Sequence, residues 1–274
     1  MGLPKRASRG LQAGAVSLCS MTQTDIPTLE DIDSAFEALV FPDFSDDLDQ
    51  LEPAGGGADL TGYLAIHQAM RIANAQLVRG IGTAGVADPE RASALARWFR
   101  GYSDELRTHH HIEDDIVFPE LLARVPDYAA YSGSLADDHR ELDGMIDAIR
   151  EALATWARHT TESDAARDAR YTALDLAVEL RDFLEQHLAI EDADVLPMMF
   201  RNFTFEEYAE LEKQAGKAIT IRQAMFTAPW YMATVDPETA ARTWREAPIT
   251  LKIIHLLARR SYAKLVSAAF GVRA

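Results

Sequence analysis

The chain has 274 residues, 48% hydrophobic and 26% charged, a balance typical of a folded globular protein and wrong for a disordered one. Its formal net charge of −16 argues against a nucleic-acid-binding surface, which needs clustered Lys and Arg facing phosphates. No run of 18 residues is free of charge, so no membrane span is expected, and the lone Cys19 excludes an internal disulfide or a thiolate metal site.

The charge is unevenly spread. Residues 1–20 carry three basic and no acidic side chains, 21–60 carry eleven acids and no Lys or Arg, 61–200 are net −12, and 201–274 are net +4. The basic leader lacks the apolar core and cleavage site of a secretory signal, and Arg6 stands where myristoylation needs Ser or Thr. A cytoplasmic location is the expectation.

Residues 1–58 read as a flexible acidic arm with one short amphipathic helix. There Thr28 caps, Asp31 takes the capping-box position, and Leu29, Ile32, Phe36, Leu39 and Val40 share a face. A glycine run over 55–57 then marks a boundary. Residues 59–200 hold four long helical segments with apolar residues at helical spacing and no alternating strand. The first covers about residues 60–81 and stops in a glycine-rich stretch. Asp88-Pro89 opens the second, which runs to about 125. The third starts near Ser134 with Asp137 in a capping box, and the fourth covers about 163–200. Long helices joined by short loops predict an all-α, up-down-up-down four-helix bundle.

Residues 201–274 read as a C-terminal helical extension packed on the bundle. Thr204 with Glu207 forms a capping box, Asp236-Pro237 opens a further helix, and 248–270 forms a last one ended by Gly271. Ile249, Ile253, Leu256, Leu257 and Leu265 are its expected packing residues, a homodimer through these helices being the alternative use. His255 reads as a core or boundary histidine.

Two stretches repeat one pattern. Residues 109–119 read HHHIEDDIVFP and residues 187–197 read HLAIEDADVLP. Aligned without gaps, His109 matches His187, Glu113 matches Glu191, and Pro119 matches Pro197. A His and a Glu four apart lie on one helix face and reach the same or adjacent metals. His110/Asp114 and His111/Asp115 share that spacing, but only His109/Glu113 agrees with the second copy. His110 and His111 are therefore expected to point away, at the surface or behind the ligands. His67 and His139 lie early in the first and third segments. An antiparallel bundle brings them to the level of His109 and His187. Four histidines and two carboxylates from four helices make a two-metal site. Tyr63, one turn before His67, reads as an ordinary bundle tyrosine, with a hydrogen-bond donor to bound oxygen or an extra metal ligand as the alternatives. Leu64, Ile112, Leu184 and Ile190 are the expected apolar wall.

This pattern of His, His-x-x-x-Glu, His, His-x-x-x-Glu over about residues 60–200 resembles the hemerythrin-like (HHE cation-binding) family. The resemblance implies a non-haem centre of two irons, manganese or zinc being the lesser expectations. His67, His109, His139 and His187 would be terminal ligands, with Glu113 and Glu191 as bridges. Oxygen-carrying members have a further histidine one turn after the third-helix ligand, whereas Asp143 stands here, which implies a more carboxylate-rich or more open site. The implied small ligands are O₂, peroxide or nitric oxide. Three functions stay open: O₂ binding, a peroxide- or nitric-oxide-consuming enzyme, and a metal- or oxygen-sensing regulatory module.

Overall fold

The computed structural model describes residues 57–271. The short helix expected near residues 28–40 lies outside the described residues, and every regular element among them is helical.

Helix α1 (Thr61–Gly82) is followed by α2 (Pro89–Ile112), a π-helical turn (Glu113–Val117) and α3 (Phe118–Arg124), which together form the second segment. A single 3₁₀ turn (Pro126–Tyr128) leads into α4 (Ala129–Trp156). The fourth segment is α5 (Asp164–Ile190), a second π turn (Glu191–Val195) and α6 (Leu196–Asn202). Around the bundle, α1 neighbours α2 and α5, and α4 neighbours the same two helices from the other side. This closes the ring expected of up-down-up-down connectivity.

Local chemistry explains most boundaries. The Asp88 side chain accepts from the Arg91 N–H with Pro89 at the first helical position, and the Ser163 side chain accepts from the Ala166 N–H. The third segment departs from expectation. It begins at Ala129, and Ser134 sits inside it, donating to the Tyr131 carbonyl. No side chain caps α4. Burial of Tyr128 against Phe118, with ring centroids 5.3 Å apart, anchors the start of this helix in place of a cap.

The interior divides into two apolar clusters. The larger fills the bundle with Met70, Leu77, Trp98, Tyr102, Leu106, Leu142, Ile146, Trp156, Leu180 and Leu184. The smaller closes one end, where α3, α6 and α7 (Phe205–Ala218) bring Leu60, Tyr63, Phe118, Leu121, Leu135, Leu196, Met199, Phe203 and Tyr208 together. Helix α7 opens with the expected reciprocal box between Thr204 and Glu207.

Three more helices complete the extension: α8 (Ile221–Thr234), α9 (Pro237–Glu246) and α10 (Ile249–Phe270). Both α8 and α10 pack on the outer face of α2. Contact is so close that a Cβ at Gly101 would come within 2.3 Å of the Phe226 ring, and one at Gly80 within 2.8 Å of Phe270. Phe270 meets Trp98 edge-on at 4.9 Å, and the Arg91 guanidinium caps the last turn by donating to the Ala269 carbonyl. Gly271 ends the helix in the left-handed conformation, at φ 69°.

Of the residues expected to seat α10, Leu265 packs on the core and the other four do not. Tyr262, Leu265, Val266, Ala269 and Phe270 pack on the core, whereas Ile249, Ile253, Leu256 and Leu257 are 49–69% exposed. The small Ala258 and Ala269 let the helix approach closely along one face, which turns the aliphatic stripe of its first half outward.

A candidate two-metal centre

His67 on α1, His109 and Glu113 on the second segment, His139 on α4, and His187 and Glu191 on the fourth meet between the two apolar clusters, each no more than 8% exposed. All six expected site residues therefore come together. His67 Nε2 lies 3.1 Å from His109 Nε2, and His139 Nε2 lies 3.2 Å from His187 Nε2. Two ring nitrogens that close need a proton or a cation between them.

The carboxylates join the two histidine pairs. Glu113 Oε1 is 2.9 Å from His109 Nε2, while its Oε2 is 3.6 Å from His139 Nε2. Glu191 Oε2 is 3.4 Å from His67 Nε2, while its Oε1 is 3.4 Å from His187 Nε2. Each glutamate thus divides its oxygens between the pairs. Glu113 Oε2 and both Glu191 oxygens are fully buried without a hydrogen-bond partner. Orphaned buried acceptors are costly, and a cation satisfies them.

Behind the ring nitrogens stand further carboxylates. Asp192 Oδ1 holds His67 Nδ1 at 2.7 Å, and its Oδ2 accepts from Arg71 at 2.7 Å. Arg71 continues to Glu185 at 2.8 Å. Asp138 lies 3.4 Å from His187 Nδ1, and Asp114 Oδ2 lies 3.0 Å from His139 Nδ1 but outside hydrogen-bond geometry. A carboxylate on Nδ1 fixes the tautomer and turns the Nε2 lone pair toward a metal. The Tyr63 hydroxyl donates to Glu113 Oε1 in a short hydrogen bond, so it serves the carboxylate.

Charge and burial compete here. Burial favours the neutral form of every group, and it holds His187 down at about 3 and His110 well below the usual histidine range. It also disfavours a charge on Glu113, but the surrounding histidines outweigh it and keep that carboxyl low. Burial pushes Glu191 far up, reinforced by the neighbouring Glu113 charge. Two carboxylates in one dry pocket cannot both ionise without cations to neutralise them.

Three expectations need correction. His110 does not point away: it is buried, stacks on His139 with centroids 4.2 Å apart, and leaves both ring nitrogens without partners. With Glu113, His139 and His187 it forms one set of four donors within 4.8 Å of one another; His67, His109, Glu113 and Glu191 form the other. His111 does face outward, bonding the Arg107 carbonyl. Asp143 is no part of the site, because it is drawn to the surface by Arg107 at 2.8 Å. Position 143 therefore does not enrich the centre in carboxylate; of the two alternatives, this placement fits the more open site. Ile190 is exposed, while Leu184 is buried and Leu64 and Ile112 half-buried as the wall requires.

The residues fit a metal by donor chemistry: imidazole and carboxylate suit iron, manganese and zinc. Comparison with known proteins agrees. The chain is 27% identical over 128 residues to Zinc finger protein BRUTUS of Arabidopsis thaliana, covering 47% of this chain and 10% of that protein. A BRUTUS-like zinc finger protein of the same plant is 23% identical over 177 residues, covering 64% of this chain and 14% of the relative. The chain thus spans a small fraction of these curated relatives, and no solved structure matches it. Residues 60–215, more than half of the chain, match the hemerythrin HHE cation-binding domain, and the four helices and buried His/Glu cluster lie within that span. The chain belongs to the hemerythrin HHE cation-binding domain family.

Proposed function

We propose that this protein is a non-haem di-iron protein that binds O₂ or handles reactive oxygen or nitrogen species. The observation that carries the reading is the division of both Glu113 and Glu191 between the two histidine pairs. That arrangement supplies two adjacent cation positions joined by two carboxylates. His67 and His109 serve one position, His139 and His187 the other. A pair of redox-active irons supplies open coordination positions and electrons for O₂, peroxide or nitric oxide.

The rest of the chemistry belongs to the protein. Asp192 and Asp138 orient His67 and His187 through Nδ1, and Tyr63 holds Glu113 by one oxygen. The apolar layers on either side keep the site dry. Among the described residues no helix is long and apolar enough to cross a membrane.

The test is metal analysis of the purified protein, followed by spectra of the reduced form before and after O₂, peroxide or nitric oxide. About two irons per chain with a spectral change on one of these ligands is expected. One zinc per chain with no response would overturn the reading.

A further inference from the structure

The exposed stripe on α10 has a character of its own. Ile249, Ile253, Leu256 and Leu257 recur at helical spacing, and the same face continues through Arg260 and Lys264. Lys252 and Arg259 flank it, and α10 contains no Asp or Glu at all. A contiguous apolar stripe bordered by charge of one sign marks a surface made for a partner. A second copy fits it poorly. Two-fold pairing of α10 would gather the four cations of each helix with no carboxylate from either.

The complementary charge pattern lies in the same chain. Residues 21–60 carry eleven acids and no Lys or Arg. Within them, Leu29, Ile32, Phe36, Leu39 and Val40 have the spacing of one helical face, with Glu30, Asp33 and Glu37 beside it in that pattern. The described chain also begins in the right place. Asp59 is paired with Arg242 on α9, and α9 abuts the start of α10, where Trp244 meets His255 edge-on at 5.3 Å and Lys252 donates to the Arg245 carbonyl. The tether from residue 41 to 56 spans up to about 50 Å when extended. The exposed face of α10 is only about 24 Å long.

We propose that residues 28–40 dock in cis on the outer face of α10, their apolar face covering Ile249, Ile253, Leu256 and Leu257 and their acids meeting Lys252, Arg259, Arg260 and Lys264. The mode is an amphipathic segment laid on an apolar surface, and the tether raises its effective concentration. The inference does not rest on the metal reading, since none of these residues belongs to the centre.

Hydrogen–deuterium exchange of the full chain at low salt tests it. Residues 28–40 are expected to exchange at least tenfold more slowly than an unprotected segment. The protection should vanish in an Ile253→Glu/Leu257→Glu variant and fall several-fold in Arg260→Glu/Lys264→Glu; all four side chains face solvent, so the fold should tolerate both. Unprotected exchange of 28–40 in the wild type would overturn the proposal, as would protection that survives both variants. Protection that disappears on dilution, together with a sedimenting dimer, would assign the face to a second copy and overturn docking in cis.

Discussion

Replacing Asp192 by Asn removes one charge and leaves the shape of the side chain. In the native protein this carboxylate bonds His67 Nδ1 and Arg71, each at 2.7 Å, and its side chain is wholly buried. Breaking one partner of a buried pair costs about 3–5 kcal/mol. The cost here should fall lower, about 2–3 kcal/mol, because the Asn oxygen still accepts one of the two bonds and Arg71 keeps Glu185. For a chain of this size that lowers the melting temperature of the metal-free protein by roughly 4–12 °C. The sign with pH follows from the environment. Burial opposes the Asp192 charge, but His67 and Arg71 outweigh it and hold the carboxyl below its ordinary value. Its contribution is thus fully present above the unfolded value of about 3.9 and is lost as pH falls through the lowered folded value. Wild type and variant should therefore differ in stability at neutral pH and converge in acid. Loss of the anchor should also weaken metal binding by about 10–100-fold, measured by chelator competition. Arg71→Met is the control: it loses stability comparably but leaves the His67–Asp192 bond, so its metal affinity should change only a few-fold. If Asp192→Asn binds metal within twofold of wild type, the claim that Asp192 orients His67 toward a metal is refuted, whatever the stability.

Other expectations are simpler to check. His110→Ala should lower metal content as His139→Ala does, whereas His111→Ala should leave it unchanged; equal content in all three would remove His110 from the centre. Glu113→Gln and Glu191→Gln should each fall from near two metals per chain to well below one, because each carboxylate serves both positions, while Asp143→Asn should retain two. A chain lacking residues 1–56 should keep its metal, since every proposed ligand lies at or beyond His67. Gly101→Ala should destabilise the protein by about 1–3 kcal/mol in urea denaturation through overpacking against Phe226, with metal content unaffected.

The bundle was legible because its signals are local and redundant. Asp88-Pro89, Ser163, Thr204 with Glu207, Asp236-Pro237 and Gly271 each mark a terminus through backbone groups only a few residues away. The third segment misled because Ser134 and Asp137 match a capping box wherever they stand. The decision against it came from Tyr128 packing on Phe118, a contact that the segment itself does not encode. In α10 an aliphatic period shows that one face is apolar without saying what covers it. Which face turns inward was set by the small Ala258 and Ala269 and by the aromatic contact of Phe270 with Trp98.

At the centre, the repeat resolved the His-x-x-x-Glu register because two independent copies had to agree. That comparison could not detect His110, for the second copy has Leu188 in its place. The overlooked signal was the helical spacing of α2, where the apolar Phe99 and Leu106 stand eleven and four residues before His110. The prolines of the repeat hide a second feature. Pro119 and Pro197 lack an N–H, and their rings crowd the carbonyl a turn earlier; the chain meets this with a π turn in each copy. The N–H of Phe118 reaches back five residues to Glu113, and that of Leu196 to Glu191. Successive α-helical residues point about 100° apart, yet Glu191 and Asp192 are both buried at the start of the widened turn. One faces the histidine pairs and the other faces Nδ1 of His67 and the Arg71 guanidinium. The start of the widened turn thus places, at adjacent positions in the chain, the carboxylate that lies between the histidine pairs and the one that holds His67 Nδ1.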